Sequence, residues 1–361
     1  MAQATFDGNA IVYCEGAFNT PNGKTTHGLV RFTNRYRILS VIDSRCSGRD
    51  AGEVLDGRKR GIPLVESLNK ALELSHTQKL KATHYVIGLA PDGGRLPNDA
   101  RDEVARALTK GLNVDCGLHD FLSEDARVSG LAREKGLVIR DIRRPPERNA
   151  LHFFSGKIEA VTAFKVAVLG TDSAVGKRTT AWKIVQGLQQ KDVKTEMVGT
   201  GQTAWMQGAR YGLIMDALIN DFVSGEIEHA VWSAWKETGA KVIVVEGQGS
   251  LMNPAYPGGF EILAAGRPDV VVLQHAPARK DYDGFPGYPI QPLAKQIQAI
   301  ELLRGKPVVA VTVNHENLDP QKIPDICTAI EDEVRVPAFD VLLEGPGRLV
   351  NTLMALHKQR G

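Results

Sequence analysis

Residues 165–185 read KVAVLGTDSAVGKRTTAWKIV, and this stretch decides the architecture of its half of the chain. The apolar run through Leu169 predicts a strand, Gly170 and Gly176 bracket a turn, and from Lys177 onward Ala181, Ile184, Val185 and Leu188 fall on one helical face. A strand, a glycine-rich loop and a helix in that order aim backbone N–H groups and the positive end of the helix at one point, where a phosphate can replace water as their partner. The spacing departs from the familiar G-x-x-x-x-G-K-[ST] pattern: five residues separate the glycines, and Arg178 stands between Lys177 and Thr179. The expected cosubstrate-binding set is the whole loop: Gly170, Thr171, Asp172, Ser173, Ala174, Val175, Gly176, Lys177, Arg178, Thr179 and Thr180. Lys177 would supply a mobile positive charge, and Thr179 or Thr180 a hydroxyl for phosphate or Mg²⁺.

Around this element the second half repeats an α/β rhythm. Strands are expected near 165–170, 193–199, 241–246, 269–275 and 307–313, and the continuous apolar runs VIVVEG, VVVLQH and VVAVTV fit strands buried on both faces of a parallel sheet. Ligands of open α/β sheets gather at the carboxyl ends of strands. Three candidate groups stand there. Glu246 ends a strand in VIVVEGQGSL and suits a general base, a Mg²⁺ ligand or a strand-end cap. VGTGQTAWMQG supplies Thr200, Gln202 and Thr203 for polar contacts. LQHAPARKDYDGFPGYPI gathers His275, Arg279, Lys280, Asp281, Tyr282 and Asp283 in a charged loop suited to a small anionic substrate.

The first half alternates in the same way. Strand patterns at 10–16, 37–44, 83–90 and 136–143 are separated by helical patterns at 64–75, 98–111 and 123–136; Asn98 and Ser123 read as N-caps, and both of the last two helices stop at a glycine. The turn-rich segments at 42–57 and 88–97 carry Arg45, Arg49, Asp92 and Arg95, which could meet a nucleotide-like group or a substrate carboxylate. RRPPERN at 143–149 reads as a connector, so domains are expected at 1–150 and 151–361, each α/β with a parallel sheet.

With 361 residues, 43% hydrophobic and 24% charged, the chain can bury two cores. A formal net charge of +2 implies no strong pull on nucleic acid or anionic membrane, and no segment approaches the roughly 18 apolar residues of a span. A cytoplasmic protein acting on a small molecule, and forming a homo-oligomer, is expected. Cys14, Cys46, Cys116 and Cys327 are scattered, without the pairing that zinc or redox chemistry uses, so no metal site is expected.

The loop GTDSAVGKRTT is similar to the GTD-x-x-VGKT loop of dethiobiotin synthetase and its relatives, which also place five residues between the glycines; Arg178 is the departure, displacing the hydroxyl by one position. Taken with VIDSRCSGRDAGEVLDG, APDGGRLP, GTGQT, VEGQGSL and QHAPARKDYDGFPGYPI, it resembles a two-domain bacterial family formerly of unknown function, some of whose members are D-glutamate N-acetyltransferases. The resemblance covers nearly the whole chain. It implies a Rossmann-like N-terminal domain and a P-loop NTPase-like C-terminal domain, acetyl-CoA as cosubstrate, and transfer of its acetyl group to the amine of D-glutamate. Glu246, His275 and Asp283 are then the candidate catalytic bases, and Arg279, Gln202 and Arg49 the candidate substrate contacts. The alternatives are an ATP- and Mg²⁺-dependent ligase or kinase of the dethiobiotin synthetase type, and a non-catalytic nucleotide-binding module.

Overall fold

The computed structural model describes residues 6–360. The chain divides between two compact units: one runs to Pro145 and also takes in Gln202–Gly208, and the other holds Pro146–Gly201 and the residues from Ala209 on.

In the first unit, strands β1 (Gly8–Tyr13), β2 (Tyr36–Ile42), β3 (Leu64–Val65), β4 (His84–Ile87), β5 (Asn113–Cys116) and β6 (Ile139–Asp141) form an all-parallel sheet in the order β3-β2-β1-β4-β5-β6. This is the order of a Rossmann-like sheet, which reverses direction beside β1. Apolar runs such as Ala10–Val12 are fully buried because helices cover both faces of such a sheet.

β5 was not foreseen, because its second face carries Asp115. That carboxylate is fully buried and accepts from the Tyr36 hydroxyl at 2.5 Å and from Arg140 Nη2 at 2.7 Å, a pairing that offsets the cost of burial. The helix expected over 64–75 begins later: Leu64 and Val65 pair with Val41 and Ile42, and the helix Leu68–Thr77 is capped by Ser67, whose Oγ accepts the Lys70 N–H. Ser123 is likewise not an N-cap. It binds Asp141, while Asp125 accepts from the N–H groups of Arg127 and Val128 and starts the helix Ala126–Lys135. Asn98 is the first residue of its helix rather than its cap.

Gln202–Gly208, although flanked on both sides by second-unit residues, packs into the core of the first unit. Gln207 Nε2 donates to the carbonyls of Gly28 and Phe32, both at 2.8 Å, Thr203 shares a hydrogen bond with Thr25, and Met206 is fully buried. The Arg35 guanidinium lies 3.7 Å from the centre of the Trp205 ring.

The second unit holds β7 (Phe164–Gly170), β8 (Thr195–Gly199), β9 (Tyr211–Gly212), β10 (Val242–Glu246), β11 (Val270–His275), β12 (Val308–Val313) and β13 (Ala338–Phe339). They lie parallel in the order β13-β12-β11-β7-β10-β8-β9. β7 is central and buried throughout, with β10 on one side and β11 on the other. The helix Lys177–Gln189 that follows its loop buries Ala181, Ile184, Val185 and Leu188, as their spacing predicts. Among the described residues no helix is long and apolar enough to cross a membrane.

Candidate functional site

The loop after β7 is held at both ends by the neighbouring strand. The Thr171 N–H donates to the Gln274 carbonyl at 2.9 Å, and the Thr171 hydroxyl meets His275 Nδ1 at 3.0 Å. At its far end Gly176 has φ of +108°, a conformation open to glycine and strained for other residues, and the helix begins at Lys177. Ala174 is held at φ +51°, a backbone that costs an alanine roughly 1–2 kcal/mol. The N–H groups of Ala174 and Gly176 find no acceptor among the described residues. Such a nest of donors at a helix start is the geometry that binds anions.

Lys177 is not a mobile surface charge. It is 6% exposed and folds back across the loop, where its Nζ donates to the carbonyls of Asp172 at 2.6 Å and Gly249 at 2.7 Å. An arriving phosphate would compete with those carbonyls for the ammonium. Thr180 is turned inward: its hydroxyl and that of Thr312 both donate to Gln274 Oε1. Thr179, half-buried, is the hydroxyl left near the loop surface.

The side chain of Asp172 points into the protein and braces the loop. Its carboxylate is fully buried and accepts four hydrogen bonds, from the Ser173 N–H at 2.7 Å, Asn253 Nδ2 at 2.8 Å, Arg279 Nη1 at 2.9 Å and the Asp283 N–H at 2.9 Å. A carboxylate would repel a phosphate; here it ties the phosphate loop to the two loops carrying Asn253 and Arg279. Arg279, the candidate for a substrate carboxylate, has its guanidinium paired with Asp172, with Glu316 and with the Ser173 carbonyl.

Glu246 ends β10 and is 4% exposed. Its Oε2 accepts the Thr200 N–H at 3.0 Å, and its carbonyl accepts the Thr200 hydroxyl. Burial raises its pKa above the ordinary carboxylate value, against the pull of Arg178, the Thr200 N–H and Lys177. His275 ends β11, and burial lowers its pKa from 6.5 to about 4, so the ring is neutral at pH 7. Asp283 accepts from the Ser173 hydroxyl at 3.3 Å. Glu246, His275, Asp283 and the loop therefore all stand at the carboxyl edge of the second sheet, around β7.

Gln202 and Arg49 belong to the first unit. Gln202 opens the helix Gln202–Met206 and packs beside Gly117, and Arg49 is exposed on the loop before Ala51. Arg95 pairs with Asp120 at 2.8 Å, Arg45 reaches Asp43 at 4.0 Å, and the side chain of Asp92 lies outside the described residues. Sequence reasoning missed Asn253, Gln274 and Glu316. No local motif marks them, since each acts through a partner far away in the chain.

Residues 152–350 match the profile of the DUF1611 C-terminal P-loop domain, and residues 44–145 that of the DUF1611 N-terminal Rossmann-like domain; both are described as domains of unknown function. A curated D-glutamate N-acetyltransferase from Tritonibacter scottomollicae is 26% identical over 79% of this chain and 85% of its own length. A second protein of that name, from a Pseudoalteromonas species, is 28% identical over 81% of this chain and 87% of its own. The crystal structure of a DUF1611 family protein from Anabaena variabilis superposes with a TM-score of 0.87 at 28% identity, covering 96% of this chain and 99% of that one.

Proposed function

Because the chain belongs to the DUF1611 family, we propose that it is an N-acetyltransferase that moves the acetyl group of acetyl-CoA to the amine of D-glutamate. The substrate and the reaction follow the names of the two relatives from Tritonibacter and Pseudoalteromonas. The cosubstrate rests on one observation in this chain: Arg178 takes the position after the loop lysine where G-x-x-x-x-G-K-[ST] carries a hydroxyl, and its charge acts on the buried Glu246. A second fixed cation beside Lys177 suits a pyrophosphate that is held and not cleaved, as the pyrophosphate of CoA is held during acyl transfer.

In this scheme the loop N–H groups, Lys177 and Arg178 hold the phosphates. The substrate arrives as an ammonium ion and must give up a proton before its nitrogen can attack the thioester carbon. Glu246, with a carboxyl pKa raised by burial, accepts that proton. The new C–N bond forms as the C–S bond breaks, the nitrogen sheds its second proton, and the thiolate leaves to be protonated as free CoA. Asp172 and Arg279 position the loop throughout.

Incubation of the purified protein with acetyl-CoA and D-glutamate, followed by thiol titration and mass spectrometry of the product, tests the proposal. Free CoA and N-acetyl-D-glutamate in equal amounts are expected. ADP or phosphate release from ATP and Mg²⁺ with no thiol release would overturn it in favour of a ligase or kinase.

A further inference from the structure

Two loops next to the phosphate loop carry a line of aromatic rings, two exposed and the one between them half-buried, for which neither the fold nor acetyl transfer accounts. Tyr256 is 49% exposed and Tyr288 57%. Phe285 stands between them, edge-on to both, with ring centres 6.3 Å from Tyr256 and 6.5 Å from Tyr288. Aromatic side chains left this open stabilise nothing in the isolated fold, and contiguous apolar patches of this kind mark binding surfaces.

The anchoring of these rings indicates what they meet. Asn253, whose Nδ2 binds the buried Asp172 carboxylate, accepts the N–H of Tyr256 at 2.9 Å. The Tyr256 carbonyl packs so closely on Gly249 that a Cβ there would lie 2.0 Å from it, and Gly249 in turn offers its own carbonyl to Lys177 Nζ. On the other loop the Asp283 N–H binds Asp172 again, and a tight series of turns leads to the rings: Phe285 N–H to Tyr282 O at 2.9 Å, Tyr288 N–H to Phe285 O at 3.2 Å and Tyr282 N–H to Tyr288 O at 3.0 Å. Both aromatic loops are thus latched to the one carboxylate that also braces the phosphate loop. A ligand held by its phosphates in the nest of Ala174 and Gly176 and also lying along this edge needs a flat, apolar group a short distance from its phosphates.

We propose that Tyr256, Phe285 and Tyr288 form a stacking platform for the purine of an adenosine diphosphate group bound at the phosphate loop. That group is common to CoA and ADP. The proposal builds on the acetyl-CoA assignment above, but it needs only the shared adenosine diphosphate and not the acetyl transfer.

The test compares a Tyr256→Leu/Tyr288→Leu double variant with the unaltered protein by calorimetry, using CoA, ADP and inorganic pyrophosphate as separate probes. Both tyrosines are exposed, so the fold should persist, and thermal unfolding checks this; a Phe285→Leu single variant serves if it does not. The expected result is roughly tenfold weaker binding of CoA, the scale of one base stacked on aromatic rings, with pyrophosphate unchanged. ADP weakened in parallel while the protein fails to acetylate D-glutamate would keep the platform and discard the acetyltransferase. Equal weakening of all three probes would mean that the rings only shape the loops, and would overturn the proposal. Unchanged binding of CoA and ADP, absence of binding of either to the unaltered protein, or a change of sedimentation without a change of affinity would overturn it as well.

Discussion

Two turns of this chain carry nearly the same words. GAFNTPNGKTT at 16–26 follows β1, and GTDSAVGKRTT at 170–180 follows β7; each runs from a central parallel strand into a helix whose first residue is the lysine. Their donors go to different places. In the first turn the N–H groups of Ala17, Thr20 and Gly23 bind carbonyls three residues back, Phe18 N–H binds the Asp43 carboxylate and Asn22 N–H binds the Thr20 hydroxyl. Lys24 is exposed. In the second turn Ala174 and Gly176 adopt positive φ and leave their N–H groups without an acceptor among the described residues, while Lys177 is buried across the loop. The strands flanking β1 end in Ile42 and Ile87, those flanking β7 in Glu246 and His275. A glycine-lysine-threonine turn is an anion site only where its backbone donors are left for the anion.

The largest expected difference lies in the two braces. Asp172→Ala removes the shared acceptor of three donors and of the half-buried Arg279 guanidinium, which keeps only Glu316 and the Ser173 carbonyl, and should cost about 3–5 kcal/mol in chemical denaturation, the scale of several buried donors left without an acceptor. Asp43→Ala leaves two backbone N–H groups without an acceptor, and its ion-pair partner Arg45 is largely exposed at 4.0 Å; its cost should be about 1–3 kcal/mol. Equal costs would remove the distinction between a charged latch and an ordinary turn.

Next comes the strand end that only the second turn possesses. Glu246→Gln keeps the shape but cannot take a proton, so turnover should fall by roughly 10²-fold or more with cosubstrate affinity little changed. Because burial raises the Glu246 pKa, activity of the unaltered protein should climb as pH rises through a value above the ordinary carboxylate range, and the variant should lack that limb. A pH profile identical in both proteins would leave Glu246 as a strand-end cap.

The lysines give the direct contrast. Lys177→Ala should weaken CoA roughly tenfold or more, the scale of a charge-assisted hydrogen bond, and Lys24→Ala should not change it. Comparable losses would mean that both turns bind phosphate. The last contrast, visible only at low pH, concerns His275. Its pKa of about 4 in the folded protein, against 6.5 when unfolded, means that the unfolded chain takes up a proton the native state refuses. Stability is therefore present in full above 6.5 and is lost as pH falls toward 4. His275→Gln should flatten the denaturation midpoint over that window.

Much of this was legible in the sequence. The apolar runs of β7, β10, β11 and β12 and the one-sided spacing of Ala181, Ile184, Val185 and Leu188 are local patterns, and their periods reflect the geometry of strands and helices directly. So do the placement of Lys177 at a helix start and of Glu246 at a strand end. The tertiary structure alone decided which polar groups meet. Asp172 reads in the sequence as one residue of a phosphate loop and becomes its brace only because Asn253, Arg279 and Asp283, separated from it by 81, 107 and 111 positions, are brought to the same sheet edge. Arg279 is a free guanidinium on paper and an internal clasp in the fold. Asp115 hides a strand because Tyr36 and Arg140, 79 and 25 positions away, make a buried carboxylate tolerable there. Gln202–Gly208 sits among second-unit residues in sequence and packs with the first unit. A sequence specifies what each side chain can donate or accept and the period at which apolar groups recur; a hydrogen bond also needs a partner within about 3 Å, and for distant residues only the folded sheet sets that distance.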